Sequence, residues 1–337
     1  MKSMTLYIEA IIFAISIFIL SKASHTVIKS SVKIARITKL GELVVGFLIL
    51  SLATVLPELI ISTTAVISGN FGIAIGNILG SNITCLLLIA GVTSFIRPVN
   101  ITERTLAKLS EIMFLSSLIL LLLVALTYLS KVVGFVLIIL FFVFSAYSLK
   151  KKITLGDIRL EEPLKIIPRL KISSSLLKSI LFLIAGMIIV SASAWFAVNS
   201  ASNIASDLRI DQSFIGATIM AVGASLPELS VAITAQKERR LGLGLGNTIG
   251  SGLTRLTLVL GIVLLIAPFS INIHLFNTLV AFVLLSSLLL WFFLGSLGRK
   301  KLDRMEGTIL LVIYVIFLIL SFSVSFPGLG LFSLILK

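Results

Sequence analysis

The sequence predicts an all-α integral membrane protein with ten transmembrane helices in two inverted five-helix repeats. Three observations carry this. The chain is strongly apolar, its basic residues crowd onto alternate connections between apolar runs, and one half matches the other at a shift of 170 residues.

Of 337 residues, 58% are hydrophobic and only 12% are charged. The mean hydropathy is +1.18. A soluble domain is about half apolar and about a quarter charged, so lipid is the expected solvent. The apolar residues fall in runs near 4–21, 40–68, 71–95, 109–129, 132–149, 173–200, 212–236, 241–267, 271–296 and 307–325. Most reach the roughly 17–25 residues that carry a helix across about 30 Å of hydrocarbon. Only helices and closed barrels satisfy their backbone there, and these runs lack the alternation of barrel strands. The first run reads as a helix rather than a cleaved signal, because it is long, weakly basic at its start and closely followed by another span. The tail Phe326–Lys337 starts at a Phe-Pro-Gly break and is too short to span.

The net charge of +14 raises the question of nucleic acid. Its distribution argues against that partner. With the helices numbered in order, 23 of the 28 Lys and Arg residues lie on the connections of one side; Lys2, Lys131, Arg209 and Lys337 lie on the other. Basic loops on one side are what membrane orientation requires. The rule puts these loops in the cytoplasm and both termini outside; the lack of a targeting presequence and of a large regulatory loop leads to the expectation of a multi-pass protein of a prokaryotic plasma membrane. The remaining one, Arg255, is left over inside a helix. The one cysteine, Cys85, excludes an intrachain disulfide, and His25 and His274 have no metal-ligand spacing.

The self-match is ungapped. Gly46 meets Gly216, Leu56-Pro57-Glu58-Leu59 meets Leu226-Pro227-Glu228-Leu229, and Gly76-Asn77 meets Gly246-Asn247. Gly80-Ser81 meets Gly250-Ser251, Gly91 meets Gly261, and Pro98 meets Pro268. Five helices separate the members of each pair, and an odd number reverses direction across the membrane. This is the inverted-topology repeat of many secondary transporters. The expected division is a first repeat over 1–149, a cytoplasmic linker over 150–172 containing Pro163 and Pro168, and a second repeat over 173–337.

Glu58 and Glu228 lie well inside helices two and seven. An ionisable group at that depth costs several kcal/mol unless it faces protein or water, so a repeated pair points to a site. Equivalent inverted positions can meet near the midplane, and carboxylate oxygens suit hard cations such as Ca²⁺, Mg²⁺ or Na⁺. The competing reading is a pair of protonated structural glutamates. Pro57 and Pro227 each leave a carbonyl without its usual donor, nominally at Ala53 and Gly223. Asn77 and Ser81 share one helical face at i, i+4, as do Asn247 and Ser251. Thr54 and Ser225 stand near the glutamates. Each hydroxyl also fits an interhelical hydrogen bond. There is no HExxH, GxSxG, P-loop or CxxC motif, and the glycines of 241–246 follow no strand. No enzyme and no cofactor is expected.

The combination of Pro-Glu on helices two and seven with GN..GS on helices three and eight resembles the sodium/calcium exchanger family of calcium/cation antiporters. The resemblance covers about 43–101 and 213–271, and the ten-helix layout extends it along the chain. It implies alternating access, with Ca²⁺ and Na⁺ sharing central sites. It implies Glu58 and Glu228 as main Ca²⁺ ligands, joined by Thr54, Ser225, Ser81, Ser251 and carbonyls near Ser51 and Ala221. This chain departs from the family pattern where Cys85 and Arg255 replace an Asn or Asp ligand, and where Val55 and Ala224 replace hydroxyls.

Arg255 lies one turn beyond Ser251 on the same face and stays protonated. Beside Glu58 or Glu228 it would hold a carboxylate bidentately and weaken divalent-ion binding. At about 4 Å and an effective dielectric near 20, each such interaction is worth about 4 kcal/mol. Alternatively it snorkels or pairs outside the cavity. The sequence thus supports a secondary active cation antiporter whose partners are inorganic cations and the bilayer, most directly Ca²⁺ against Na⁺. Exchange against H⁺, an ion-sensing transport-inactive protein and an intramembrane acid/base enzyme are the rivals.

Overall fold

The computed structural model describes residues 2–37, 51–100, 113–122, 128–150, 172–226, 228–229, 232–233, 248, 250–270, 276–295 and 301–325. Over these residues the helices are α1 Lys2–Ile37, α2 Ser51–Ile67, α3 Phe71–Ile96, α4 Met113–Leu122 and α5 Lys131–Lys150. They continue with α6 Ile172–Leu208, α7 Gln212–Ala224, α8 Gly250–Ile266, α9 Phe276–Gly295 and α10 Arg304–Ser325. Each matches one of the ten expected runs. Windows in α1, α3, α6, α9 and α10 are long and apolar enough to cross a membrane; the apolar stretches of the others are shorter over the described residues. The linker expected over 150–172 lies outside them except at its ends, where Lys150 closes α5 and Ile172 opens α6.

Composition decides which helix sits where. In α3, 94% of the residues are buried, against 22% and 28% in the spanning windows of α1 and α6. The α3 sequence interleaves Gly72, Gly76 and Gly80 with Asn77, Ser81 and Asn82, residues that lipid would not solvate. By contrast α1 exposes Tyr7, Ile11 and Phe18, and α6 exposes Phe182, Ile188 and Trp195. These apolar faces suit acyl chains.

The repeat found in the sequence recurs in the architecture. A shift of 170 residues carries the start of α1 at Lys2 onto the start of α6 at Ile172. It carries β1, Val99–Asn100, onto β3, Phe269–Ser270. The strands β2, Tyr128–Leu129, and β4, Lys301–Leu302, complete two short antiparallel ladders. β1 pairs with β4, and β2 with β3, so each ladder joins one half to the other. The glycines obey the same exchange. A Cβ on Gly91 would press Leu311 at 2.9 Å and Gly307 at 3.1 Å, and one on Gly134 would press Gly261 at 2.8 Å. Thus α3 seats on α10 as α8 seats on α5. The chain is a ten-helix membrane protein of two inverted five-helix repeats.

At the centre α3 packs backbone to backbone against α7. A Cβ on Gly76 would stand 2.8 Å from the Ala217 nitrogen, and one on Gly80 would overlap the Ala217 backbone. Small residues allow this approach. It brings the polar side of α3 against the segment carrying Ser225 and Glu228.

Candidate cation site

Four segments supply the polar centre. α2 contributes Thr54, Glu58 and Ser62; α3 contributes Asn77, Ser81 and Cys85. Ser225 and Glu228 follow α7, and α8 contributes Ser251 and Arg255. Glu58, Glu228, Arg255, Thr54, Asn77, Ser81, Ser251 and Cys85 all have 0% exposure, and Ser225 has 1%. Polar side chains this deep are tolerated where they satisfy one another.

The backbone is irregular where the site lies. α2 continues through Pro57, whereas α7 stops at Ser225 (φ −86°, ψ 2°), two residues before Pro227. The Ser225 N–H still donates to the Ala221 carbonyl at 3.0 Å, and the Leu229 N–H to the Ser225 carbonyl at 3.1 Å. The Ala221 carbonyl therefore keeps a helical donor and has only its second lone pair for an ion. Ser51 opens α2; its side chain, like all of Asn247 and Pro227, lies outside the described residues. A π-helical turn spans Thr84–Ile89 in α3 and Arg255–Val259 in α8. Such turns are insertions that recur at functional sites. These two start at or beside Cys85 and Arg255, two of the four departures from the family pattern, and a third spans Gly216–Met220 in α7.

Arg255 joins the two acids. Its Nε and Nη2 donate to Glu58 Oε1 at 3.2 and 2.9 Å. Nη2 also donates to Glu228 Oε1, and Nη1 donates to Ser251 Oγ at 3.2 Å. Ser225 Oγ lies 3.5 Å from the same Glu58 oxygen. The sequence expectation of a two-oxygen fork on one carboxylate is corrected: the guanidinium takes one oxygen from each glutamate. The alternatives of snorkelling and of pairing outside the cavity fall as well, because Arg255 is wholly buried. Two carboxylates converging on one nitrogen explain the choice of geometry, since one cation then offsets both charges.

The remaining oxygens are available. Among the described residues, Glu58 Oε2, Glu228 Oε2, Ser81 Oγ and Asn77 Oδ1 are buried with no hydrogen-bond partner. Buried acceptors rarely lack donors, and hard cations coordinate such oxygens. Among the described residues no group of three or more His, Cys, Asp and Glu could hold a metal. Any ion here would rest on two carboxylates and neutral oxygens.

Asn77 holds the frame. Its Nδ2 donates to the Glu58 carbonyl at 3.3 Å and to Ser62 Oγ at 3.0 Å. Ser62 was not among the sequence candidates. Its spacing of i+4 from Glu58 was the available signal, but its counterpart across the repeat is Ala232, so self-comparison passes over it. Cys85 packs beside Ile89, Ala232 and Leu229.

Known proteins share this layout. The family model for "Sodium/calcium exchanger protein" matches residues 8–150 and 178–323. The sodium/calcium exchanger MaX1 of Methanosarcina acetivorans is 28% identical over 94% of this chain and 99% of its own length. The uncharacterized membrane protein MJ0091 of Methanocaldococcus jannaschii is 31% identical, over 90% of this chain and 95% of its own. A solved structure of the sodium-calcium exchanger NCX_Mj superposes with a TM-score of 0.61 at 28% identity, covering 92% of this chain and 98% of that one. Both halves, the repeated Pro-Glu and the paired central acids fall within the matched residues, so the chain belongs to the sodium/calcium exchanger protein family, a family of membrane transporters and not of enzymes.

Proposed function

We propose that this protein is a secondary active antiporter that exchanges Ca²⁺ against Na⁺ by alternating access, holding its ions between α2, α3, α7 and α8. The observation that carries the reading is the convergence of Glu58 and Glu228, one from each inverted half, on a single buried point. The four unpartnered oxygens of Glu58, Glu228, Ser81 and Asn77 add donors of the kind Ca²⁺ and Na⁺ take. Thr54, Ser225, Ser251 and the carbonyls of Ser51 and Ala221 complete the proposed set, with Asn247 as the counterpart of Asn77. The likeness to the sodium/calcium exchangers MaX1 and NCX_Mj favours the same ion pair. In the proposed arrangement the repeats 1–149 and 173–337 flank a cytoplasmic linker, both termini are extracellular, and the protein resides in the plasma membrane.

Arg255 favours a second reading, in which one guanidinium charge alters what the site carries. H⁺ would then replace Na⁺ as counter-ion, or the protein would sense ions without moving them. Counterflow in proteoliposomes separates these. Radiolabelled Ca²⁺ uptake is compared under outward Na⁺, K⁺ and H⁺ gradients. Acceleration by Na⁺ alone supports the proposal. Acceleration by H⁺ alone, or binding without flux, replaces it with the second reading.

A further inference from the structure

The inverted repeat supplies cation ligands in pairs. Glu58 is matched by Glu228, Asn77 by Asn247 and Ser81 by Ser251, so the sequence provides for two equivalent seats, one beside each serine. The two serines are not equally open. Ser81 Oγ has no hydrogen-bond partner among the described residues. Ser251 Oγ donates to the Thr248 carbonyl at 3.1 Å and accepts from Arg255 Nη1 at 3.2 Å. A hydroxyl has one proton and two lone pairs, so only one lone pair of Ser251 is left for an ion.

Arg255 stands where the cation of the Ser251 seat would stand. Besides Ser251 it meets both carboxylates, through Nε and Nη2 on Glu58 Oε1 and Nη2 on Glu228 Oε1. All three charged groups are fully buried. A guanidinium does not lose its proton in a protein, and this one is tethered to α8, so nothing clears the seat. The counterpart of Arg255 in the first half is Cys85, which brings no cation to the Ser81 side.

Formal charge does not set how many ions the centre takes, because one Ca²⁺ and two Na⁺ bring the same charge to it. Ligand supply does. Each glutamate keeps one carboxylate oxygen without a partner among the described residues, Oε2 in both cases. One cation can bridge these two oxygens and add Ser81 and Asn77. A second cation would have neutral oxygens alone, beside a guanidinium that repels it.

We propose that Arg255 permanently fills one of two cation seats, so that the protein exchanges one Ca²⁺ for one Na⁺ in each cycle. The inference rests on the Ca²⁺/Na⁺ antiport reading and fixes its coupling ratio. Ca²⁺ and Na⁺ take turns on the two free carboxylate oxygens while the guanidinium keeps the others.

The full chain is reconstituted in liposomes with equal K⁺ on both sides and valinomycin, which holds the membrane potential at zero. Ca²⁺ is set about tenfold higher inside than outside, and the Na⁺ ratio is varied until net Ca²⁺ movement stops. At a coupling of one to one, the balance falls at a Na⁺ ratio of about tenfold; two Na⁺ per Ca²⁺ would move it to about threefold. Wild type is expected to balance near the first value. Arg255→Asn, which empties the seat, is expected to balance at about threefold or below, and Arg255→Lys to stay with wild type. A wild-type balance at about threefold or below overturns the inference and leaves antiport standing. Ca²⁺ movement that ignores the Na⁺ ratio, or no flux at all, overturns the antiport reading and the inference with it. A wild-type balance point in folded Arg255→Asn overturns the part given to Arg255. Should that variant misfold, the wild-type balance point decides alone.

Discussion

Arg255 grips Glu58 through one carboxylate oxygen: Nε at 3.2 Å and Nη2 at 2.9 Å both reach Oε1, while Oε2 has no partner among the described residues. The same Nη2 reaches Glu228 Oε1. Each acid is thus half engaged by the protein and half free.

Removing the guanidinium leaves two buried acids facing each other. Arg255→Met should destabilise the Ca²⁺-free protein by on the order of 3–5 kcal/mol. Ca²⁺ should then raise the unfolding temperature more in the variant than in wild type, because the variant site is the more negative. Thermal unfolding in detergent, with and without Ca²⁺, checks this. Equal shifts in the two proteins would show that Arg255 and the ion do not compete.

Asn77 donates to the Glu58 carbonyl and to Ser62. Asn77→Ala should cost about 1–3 kcal/mol by stranding these acceptors. Ca²⁺ uptake should slow along with the stability loss. Asn77→Gln, which keeps the amide on a longer stem, should recover part of the stability. Wild-type stability in Asn77→Ala would remove this residue from the frame.

Cys85 is the only cysteine in the sequence and has no exposed surface. It is a native reporter of access to the centre. A membrane-impermeant maleimide should leave it unlabelled in the closed protein and label it fully after denaturation. Labelling rates should fall when saturating Ca²⁺ holds the site shut. Rapid labelling of native protein under all conditions would contradict the burial described above.

Gly80 leaves no room for a Cβ, which would overlap the Ala217 backbone of α7. Gly80→Val should push the helices apart at a cost of about 1–3 kcal/mol or more. Gel filtration in detergent should show lost or aggregated protein. A monodisperse variant of unchanged thermal stability would mean that α3 and α7 pack less closely than this.

Much of this was legible in the sequence, for identifiable reasons. The apolar runs give the ten helices because lipid enforces helical backbone over a fixed length. The 170-residue match gives the inverted repeat because residues such as Glu58 and Glu228 are too costly in lipid to recur by chance. The family resemblance rested on those same positions, and the family match includes them. The direction taken by Arg255 was not legible. Spacing places it on a helical face, but its choice between the acids and the membrane surface depends on how α8 meets α2, which no local pattern encodes. The π-helical turns at Thr84–Ile89 and Arg255–Val259 were equally hidden, since a one-residue insertion leaves apolar periodicity almost unchanged. Ser62 escaped because it belongs to one half only.

The central claim is that a carried cation sits between Glu58 and Glu228, and single amide substitutions test it most directly. Glu58→Gln and Glu228→Gln keep the shape of each side chain and remove its charge. Gradient-driven Ca²⁺ uptake in proteoliposomes should fall to the level of protein-free vesicles in each variant, with both still eluting as folded protein. Uptake at the wild-type rate in either one would place the ion elsewhere.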